Sequence, residues 1–286
     1  MLKKRLIPCL IVKGNLLVQS FEFKRYLPIG KARIAIEYFV RWDVDEIILL
    51  DIEASKTRSK PQLDLIRDYA KACFVPFTVG GGITTESEIR EVLKAGADKV
   101  SINSEAIRNP KFIHEAAEHF GSQSIVVSID AKLNEKGEYR VFSHSQGACT
   151  DIEPTDWARH MEALGAGEIL LTSVDRDGTR RGYDLPLIHS VAEALSIPVV
   201  ACGGVGRVEH LVDGIVQGEA SAVAAANIFQ HTEHSTIVAK AYLKQSGVAV
   251  RLSSAAKYEG VVFDPLGRIR KEGASVPFPA NVNEIF

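Results

Sequence analysis

Three aspartates follow apolar, strand-like runs of the sequence, at positions where a carboxylate could transfer a proton. Asp51, Asp130 and Asp177 stand at or just beyond the end of such a run. A carboxylate at the C-terminal end of a barrel strand can act as general acid or base when burial raises its pKa. Asp130 fits this role best, because it directly follows the apolar run at 125–129. For Asp51 and Asp177, helix capping or ligand orientation agrees equally well with the sequence.

Two glycine clusters indicate anion binding. Gly80-Gly81-Gly82 and Gly203-Gly204 each end an apolar run, and the next runs end in Asn103-Ser104 and Ala226-Asn227. Glycine lets the backbone approach an anion closely, and the following helix N-terminus presents free N–H groups. The clusters could instead only turn tight corners. Because there are two, the sequence predicts two phosphate sites.

Four charged residues begin apolar runs rather than end them. They are Arg5, Glu46, Lys99 and Glu168. In a barrel these positions share the end opposite the catalytic face. Two acids and two bases there could form a closed ring of salt bridges, or they could be four unrelated rim charges.

Composition excludes several functional classes. The chain has 286 residues, a net charge of −2 and 46% hydrophobic residues, which gives no electrostatic case for nucleic acid or an anionic membrane. The sequence shows no bilayer-spanning run and no signal-peptide pattern. The four cysteines are far apart in sequence and are expected to be free thiols in a reducing cytoplasm. The histidines lack metal-ligand spacing, and five of them are expected on solvated helices or loops, so the sequence predicts no metal and no cofactor. These five are His114, His119, His210, His231 and His234.

Apolar runs alternate with amphipathic stretches along the chain. Runs without polar alternation suit strands buried on both faces of a parallel sheet. Helical periodicity is found at 86–95, 154–164 and 185–195. Eight strand–helix units predict a (β/α)₈ TIM barrel. The eight predicted strands are 5–12, 46–51, 76–79, 99–102, 125–130, 168–173, 198–201 and 220–225.

The chain also repeats itself at a constant offset. Gly82 and Gly204 are 122 residues apart (204 − 82), and so are Glu46 and Glu168 (168 − 46). Such self-similarity predicts two similar half-barrels, with any strand-end site present twice. The barrel is expected to span 1–252. The Gly-, Pro- and charge-rich segment 253–286 is expected to be surface-packed or disordered.

Long stretches of the sequence match one protein family. They closely resemble the cyclase subunit of imidazole glycerol phosphate synthase over about residues 1–252. The matching stretches include Ile7-Pro8-Cys9-Leu10, Thr78-Val79-Gly80-Gly81-Gly82-Ile83, Gly96-Ala97-Asp98-Lys99-Val100-Ser101-Ile102-Asn103, Ile129-Asp130-Ala131-Lys132, Gly165-Ala166-Gly167-Glu168-Ile169-Leu170-Leu171-Thr172-Ser173 and Asp175-Arg176-Asp177-Gly178-Thr179.

The resemblance implies a partner and a reaction. A glutaminase subunit would dock at the barrel bottom and release ammonia through a gate of charged residues, which maps onto Arg5, Glu46, Lys99 and Glu168. At the top, ammonia would attack a phosphoribulosyl-formimino-aminoimidazole carboxamide ribotide. The products would be imidazole glycerol phosphate, for histidine biosynthesis, and an aminoimidazole carboxamide ribotide. The phosphate sites of this phosphorylated ligand would map onto Gly82, Asn103 and Ser104, and onto Asp177, Gly178, Gly204, Ala226 and Asn227.

One departure from the family stands out. The family uses two aspartates as an acid–base pair; the second is Asp130, whereas the first position holds Ile11. The internal repeat agrees, since Ile11 to Asp130 and Lys13 to Lys132 are both 119 apart (130 − 11 and 132 − 13). A ligand-binding lysine of the family falls at Gln19. General acid–base catalysis contributes about 10²–10⁴-fold, so cyclase chemistry is expected to be impaired.

The combination resembles a paralogue subgroup that supplies ammonia to a sugar amidotransferase in surface-polysaccharide (lipopolysaccharide) biosynthesis. Two other hypotheses remain open at this point. The chain could be a histidine-pathway lyase that tolerates Ile11, with Asp130 transferring most protons. It could also be a non-catalytic, phosphate-binding scaffold for a glutaminase.

Overall fold

The structure, a computed structural model, describes residues 3–230, 235–252 and 262–263. The strands in these ranges are β1 (Arg5–Lys13), β2 (Leu16–Phe21), β3 (Arg25–Gly30), β4 (Ile47–Asp51), β5 (Phe77–Gly80), β6 (Lys99–Ile102), β7 (Ile125–Leu133), β8 (Tyr139–Ser143), β9 (Ala148–Cys149), β10 (Glu168–Ser173), β11 (Val199–Cys202) and β12 (Ala222–Ala225). The α-helices are α1 (Ala32–Arg41), α2 (Ala54–Thr57), α3 (Leu63–Ala70), α4 (Glu86–Lys94), α5 (Ser104–Arg108), α6 (Lys111–Phe120), α7 (Pro154–Ala163), α8 (Leu185–Ala194), α9 (Val208–Val216) and α10 (Ser235–Gln245). Short 3₁₀ turns cover Ser122–Ser124 and Asn227–Gln230.

A closed parallel barrel forms the centre of the fold. Strand β1 pairs in parallel with β4 on one side and β12 on the other, and the remaining neighbours are β5, β6, β7, β10 and β11 in that order. Closure is completed by the β7–β10 pair, in which Asp130 lies beside Thr172. Across the described residues this makes eight parallel strands with helices between them, which confirms the predicted (β/α)₈ TIM barrel.

Burial on both strand faces explains why the strand sequences lack polar alternation. Inward-facing side chains fill the barrel, among them Ile7, Cys9, Val126 and Leu170. Outward-facing side chains of the same strands pack under the helices in a larger apolar layer. A strand covered on both faces is therefore largely apolar along its length.

Two hairpins extend the C-terminal mouth of the barrel. Strands β2 and β3 form an antiparallel hairpin after β1, and β8 and β9 continue antiparallel from β7. Gly14, with φ +58°, occupies the turn between β1 and β2. Because β1 and β7 are four strands apart in the barrel, the hairpins approach the mouth from opposite sides.

The structure tests the predicted environments of the histidines and the cysteines. His210 is buried rather than solvated: its Nδ1 accepts the Gly206 N–H at 3.2 Å, and burial lowers its pKa. The expected free thiols are found at all four cysteines.

His231, His234 and the expected extension at 253–286, apart from 262–263, lie outside the described residues. The proposed boundary at residue 252 stays a prediction. Among the described helices, none is both long and apolar enough to cross a membrane.

Candidate active site

A cavity of about 740 Å³ opens at the C-terminal ends of the barrel strands. Every one of the eight parallel strands contributes at least one residue to its wall. This is the face on which barrel enzymes carry their ligands. Asp51, Asp130 and Asp177 all line this one cavity, as the sequence predicts for residues at strand ends.

Asp130 is held by two side chains from neighbouring elements. Its Oδ2 accepts the Asn103 amide, with Nδ2 at 2.8 Å, and lies 2.7 Å from Nε2 of His144. Asn103 follows β6, and His144 follows β8 on the hairpin that extends β7. Sequence reasoning missed His144, because only the hairpin returns it to Asp130.

Ile11 faces the same cavity from the opposite side of the barrel. It lies on β1, is 8% exposed and lines the wall together with Asp130. The two halves therefore present a carboxylate at one position and an aliphatic side chain at its equivalent. An aliphatic side chain cannot exchange a proton.

The first glycine cluster lies beside unpaired polar atoms. Within the described residues, Ser101 Oγ, Asn103 Oδ1 and Ser104 Oγ are buried without a hydrogen-bond partner, although all three residues line the cavity. Gly82, with φ +71°, comes so close to Ser59 that a Cβ would lie 2.4 Å from the Ser59 oxygen. Buried polar atoms without partners mark a place where a polar ligand group is needed.

A basic loop lines the same half of the cavity. Lys56, Arg58 and Lys60 lie between β4 and α3 and contribute to the wall. Sequence reasoning did not single out these cations. Together with the unpaired atoms near Gly82, they make this end suitable for a phosphate.

The second predicted phosphate cluster is already in contact with the β2–β3 hairpin. Ser20 Oγ donates to Asp177 Oδ2 at 2.5 Å, and the Ser20 main-chain oxygen accepts the Asn227 amide at 3.0 Å. A Cβ on Gly178 would lie 2.4 Å from that same Ser20 oxygen. Burial raises the pKa of the Asp177 carboxyl. The cavity wall at this end also includes Gly178, Gly204, Ala226 and Asn227. The two ends of the cavity therefore differ, because the hairpin already contacts the polar groups at this one.

Asp51 has local structural contacts. Its Oδ1 accepts the N–H groups of Glu53 at 3.0 Å and Ala54 at 3.2 Å. Such bonds organise the turn before α2. Among its two sequence interpretations, this geometry favours the structural one.

At the opposite end of the barrel, four charges form a ring. Arg5 contacts both Glu46 and Glu168, and Lys99 Nζ lies 3.0 Å from Glu46 and 2.9 Å from Glu168. Thr78 Oγ1 also donates to Glu46 at 2.8 Å. Burial alone would raise the pKa of Glu168, but hydrogen bonds and charge from Arg5 and Lys99 outweigh it and hold the pKa low. These residues are therefore not four unrelated rim charges.

The (β/α)₈ barrel with a cavity at its strand ends defines the class of protein. Comparison with known proteins identifies the family within that class. Residues 5–236 match the family described as histidine biosynthesis protein, and the chain belongs to it. Within that family it is a member of the cyclase-subunit group of imidazole glycerol phosphate synthase. A Vibrio vulnificus (strain YJ016) protein, provisionally named imidazole glycerol phosphate synthase subunit hisF2, is 55% identical over 268 residues, which cover 94% of this chain and 98% of that protein.

Proposed function

We propose that this chain receives glutamine-derived ammonia from a glutaminase and conducts it through the barrel to the C-terminal cavity, where cyclase chemistry is impaired. The nitrogen is used in building an amidino sugar of a surface polysaccharide. The single observation that carries this proposal is the contrast between the barrel's two ends. The ring of Arg5, Glu46, Lys99 and Glu168 is complete, whereas Ile11 faces the cavity across from Asp130.

The charged ring supports docking and passage of ammonia at the barrel bottom. Each of its acids contacts both bases, so Lys99 can move from one carboxylate toward the other without losing all its partners. In members of this family, cyclase subunits work with a glutaminase partner. The ring thus serves as the gate through which ammonia passes.

The cavity supports a phosphorylated ligand but only half of the acid–base pair. Gly82, Asn103 and Ser104 bind one phosphate, and Asp177, Gly178, Gly204, Ala226 and Asn227 bind the second after the β2–β3 hairpin is displaced. Gln19 lies on that hairpin and has a polar but uncharged side chain. Loss of one proton-transfer group and one cation reduces cyclisation by about 10²-fold or more.

Complementation of a histidine auxotroph tests this proposal. The gene is expressed alone and with its glutaminase, and the growth rate is compared with that of the auxotroph carrying an established cyclase. Growth at a near-normal rate would refute impaired cyclase chemistry. No growth, together with glutamine-dependent nitrogen transfer to a sugar acceptor in the presence of a sugar amidotransferase, would support it.

A second candidate is the ordinary lyase reaction of histidine biosynthesis. The observation that favours it is Asp130, which is buried, hydrogen-bonded and at the cavity wall. The non-catalytic scaffold is a third candidate. Product formed from either glutamine or ammonium salts would exclude a pure scaffold.

A further inference from the structure

A hydrogen-bonded histidine lies beside Asp130, the carboxylate of the acid–base pair that this cavity retains. His144 Nε2 is 2.7 Å from Asp130 Oδ2, and Asn103 Nδ2 donates to the same oxygen at 2.8 Å. The Asp130 side chain is 7% exposed and that of His144 is 24% exposed. Both residues line the cavity, and the histidine is the more exposed of the two.

The hydrogen bond fixes the tautomer of His144. An ionised carboxylate only accepts hydrogen bonds, so Nε2 donates the shared proton, and in the neutral imidazole Nδ1 then holds the free lone pair. The ring is steadied by Phe23, at 5.3 Å between ring centroids, and by Phe142, at 5.4 Å and nearly perpendicular. A neutral imidazole held in this way can accept a proton, and the carboxylate stabilises the resulting imidazolium.

From this geometry we infer that His144, oriented by Asp130, is the proton acceptor for nitrogen that reaches the cavity. In the step, ammonia that has taken up a proton from water in the open cavity, or ammonium that enters from solution, gives a proton to Nδ1 of His144; one N–H bond breaks, its electron pair stays on nitrogen, and nucleophilic ammonia and an imidazolium result. Asp130 acts as a positioning residue and keeps its accepting oxygen on Nε2–H. The inference rests on the proposed function only in that nitrogen arrives in this cavity.

The pH dependence of turnover also depends on the other ionisable side chains near His144. Asp130 and Lys132 belong to β7, and Lys132 Nζ lies 5.6 Å from the Phe142 ring. Asp177 lines the cavity beyond β10, and burial raises its pKa. Tyr26 reaches the cavity from β3; burial, followed by the charges of Asp177 and Asp130, raises its pKa.

Nitrogen NMR of the full chain labelled at histidine tests the geometry without any turnover. The His144 signals, identified by their loss in His144→Gln, should show the Nε2–H tautomer, and Asp130→Asn should abolish that preference because an amide can donate as well as accept. His189 on α8, whose side chain is 46% exposed, is the internal control, and its signals should be unchanged in Asp130→Asn. A dominant Nδ1–H tautomer, or a tautomer preference that is unchanged in Asp130→Asn, would overturn the inference.

Ammonium-supported turnover tests the role, with the acceptor that the complementation and sugar-transfer assays identify. His144→Gln keeps an N–H donor for Asp130 but cannot take up a proton. Its kcat should fall about 10²-fold at pH 6.5, and the deficit should shrink as pH rises and free ammonia replaces ammonium. His189→Gln is the matched control and should retain wild-type rates. A deficit that is the same at every pH, or its absence, would leave His144 a structural residue.

The two proposals fail in distinguishable ways. If no acceptor takes nitrogen from glutamine or ammonium, the proposed function is wrong, and the NMR tautomer still decides whether Asp130 orients His144 as a proton acceptor. If nitrogen is transferred and His144→Gln keeps its rate across the pH range, only the assignment of His144 is wrong.

Discussion

The hydroxyl of Ser20 donates to the Asp177 carboxylate, with Oγ 2.5 Å from Oδ2, and so connects the first hairpin to the far half of the barrel. The backbone repeats the connection, since the Glu22 N–H donates to the Asp177 main-chain oxygen at 2.9 Å. Asp177 therefore holds a hairpin over the end of the cavity where the sequence predicts a phosphate. Ligand binding there requires the phosphate to replace the hairpin's contacts.

Asp177→Asn should stabilise the protein at neutral pH. Burial raises the pKa of Asp177, so the folded state favours the protonated carboxyl. The stability that comes with the protonated Asp177 carboxyl is fully present below its unfolded-state pKa and is lost as pH rises through its folded-state pKa. Asparagine keeps an oxygen for Ser20 without the charge, so its free energy of unfolding should exceed that of wild type at pH 7 and match it at low pH.

Urea unfolding at several pH values measures this difference. Asp156→Asn is the control, since the Asp156 side chain is 76% exposed on α7 and should leave the pH dependence almost unchanged. Equal destabilisation of Asp177→Asn at all pH values would contradict the effect of burial.

Gly178→Ala should displace the β2–β3 hairpin. Gly178 has φ +71°, and an added Cβ would lie 2.4 Å from the Ser20 oxygen. Gly137 has a similar φ of +77° with open space around it, so Gly137→Ala isolates the backbone cost of about 1–2 kcal/mol. Gly178→Ala should cost more than this and should speed limited proteolysis by trypsin after Lys24 and Arg25, which already lie exposed on the hairpin. Equal losses for the two variants would mean that the hairpin contact has no energetic weight.

Glu168→Gln should weaken the barrel at its lower end. The Glu168 carboxylate accepts from both Arg5 and Lys99, and loss of hydrogen bonds to charged groups costs roughly 2–3 kcal/mol. Because the pKa of Glu168 is held low, its stabilisation is present above the unfolded-state pKa and lost as pH falls through the folded pKa. The difference in thermal midpoint between wild type and Glu168→Gln should thus be full at pH 7 and vanish in acid. Glu138→Gln, which breaks an exposed pair with Arg140, should cost far less.

The barrel could be predicted from the sequence because each parallel strand is buried on both faces and therefore forms a largely apolar run, as at 125–129 of β7. The strand-end carboxylates could also be predicted, because each stands at or just beyond the end of such an apolar run. The hairpin after β1 was missed, although Gly14-Asn15 between two apolar runs is a known turn signal. His144 could not be found, because its approach to Asp130 depends on how β8 returns along β7. Likewise, no local pattern shows that Asp177 is covered by Ser20.

Ile11→Asp combined with Gln19→Lys should partly restore cyclase turnover. The new carboxylate would face the cavity across from Asp130, and the lysine that replaces Gln19 would return a cation to the β2–β3 hairpin. Formation of imidazole glycerol phosphate from the ribotide and ammonium chloride should rise by about 10-fold or more, within the range of general acid–base effects. Ile11→Asn with Gln19→Lys is the matched control, because an amide has similar size and cannot exchange a proton at neutral pH. Equal activity of the two double variants would show that the lost carboxylate does not limit this barrel.

Lys99→Met should uncouple glutamine hydrolysis from nitrogen transfer. Lys99 bridges Glu46 and Glu168 in the ring, and methionine fills its place without a charge. If the ring is the proposed gate, its disruption lets ammonia escape at the interface, so nitrogen transferred per glutamine hydrolysed should fall, whereas transfer supported by ammonium, which enters from the open cavity, should be retained. The measurement is the ratio of glutamate released to nitrogen transferred to the acceptor, in the complex with the glutaminase. Lys94→Met, at the end of α4, is the control and should keep the wild-type ratio. An unchanged ratio in Lys99→Met would show that the ring stabilises the barrel without controlling ammonia passage.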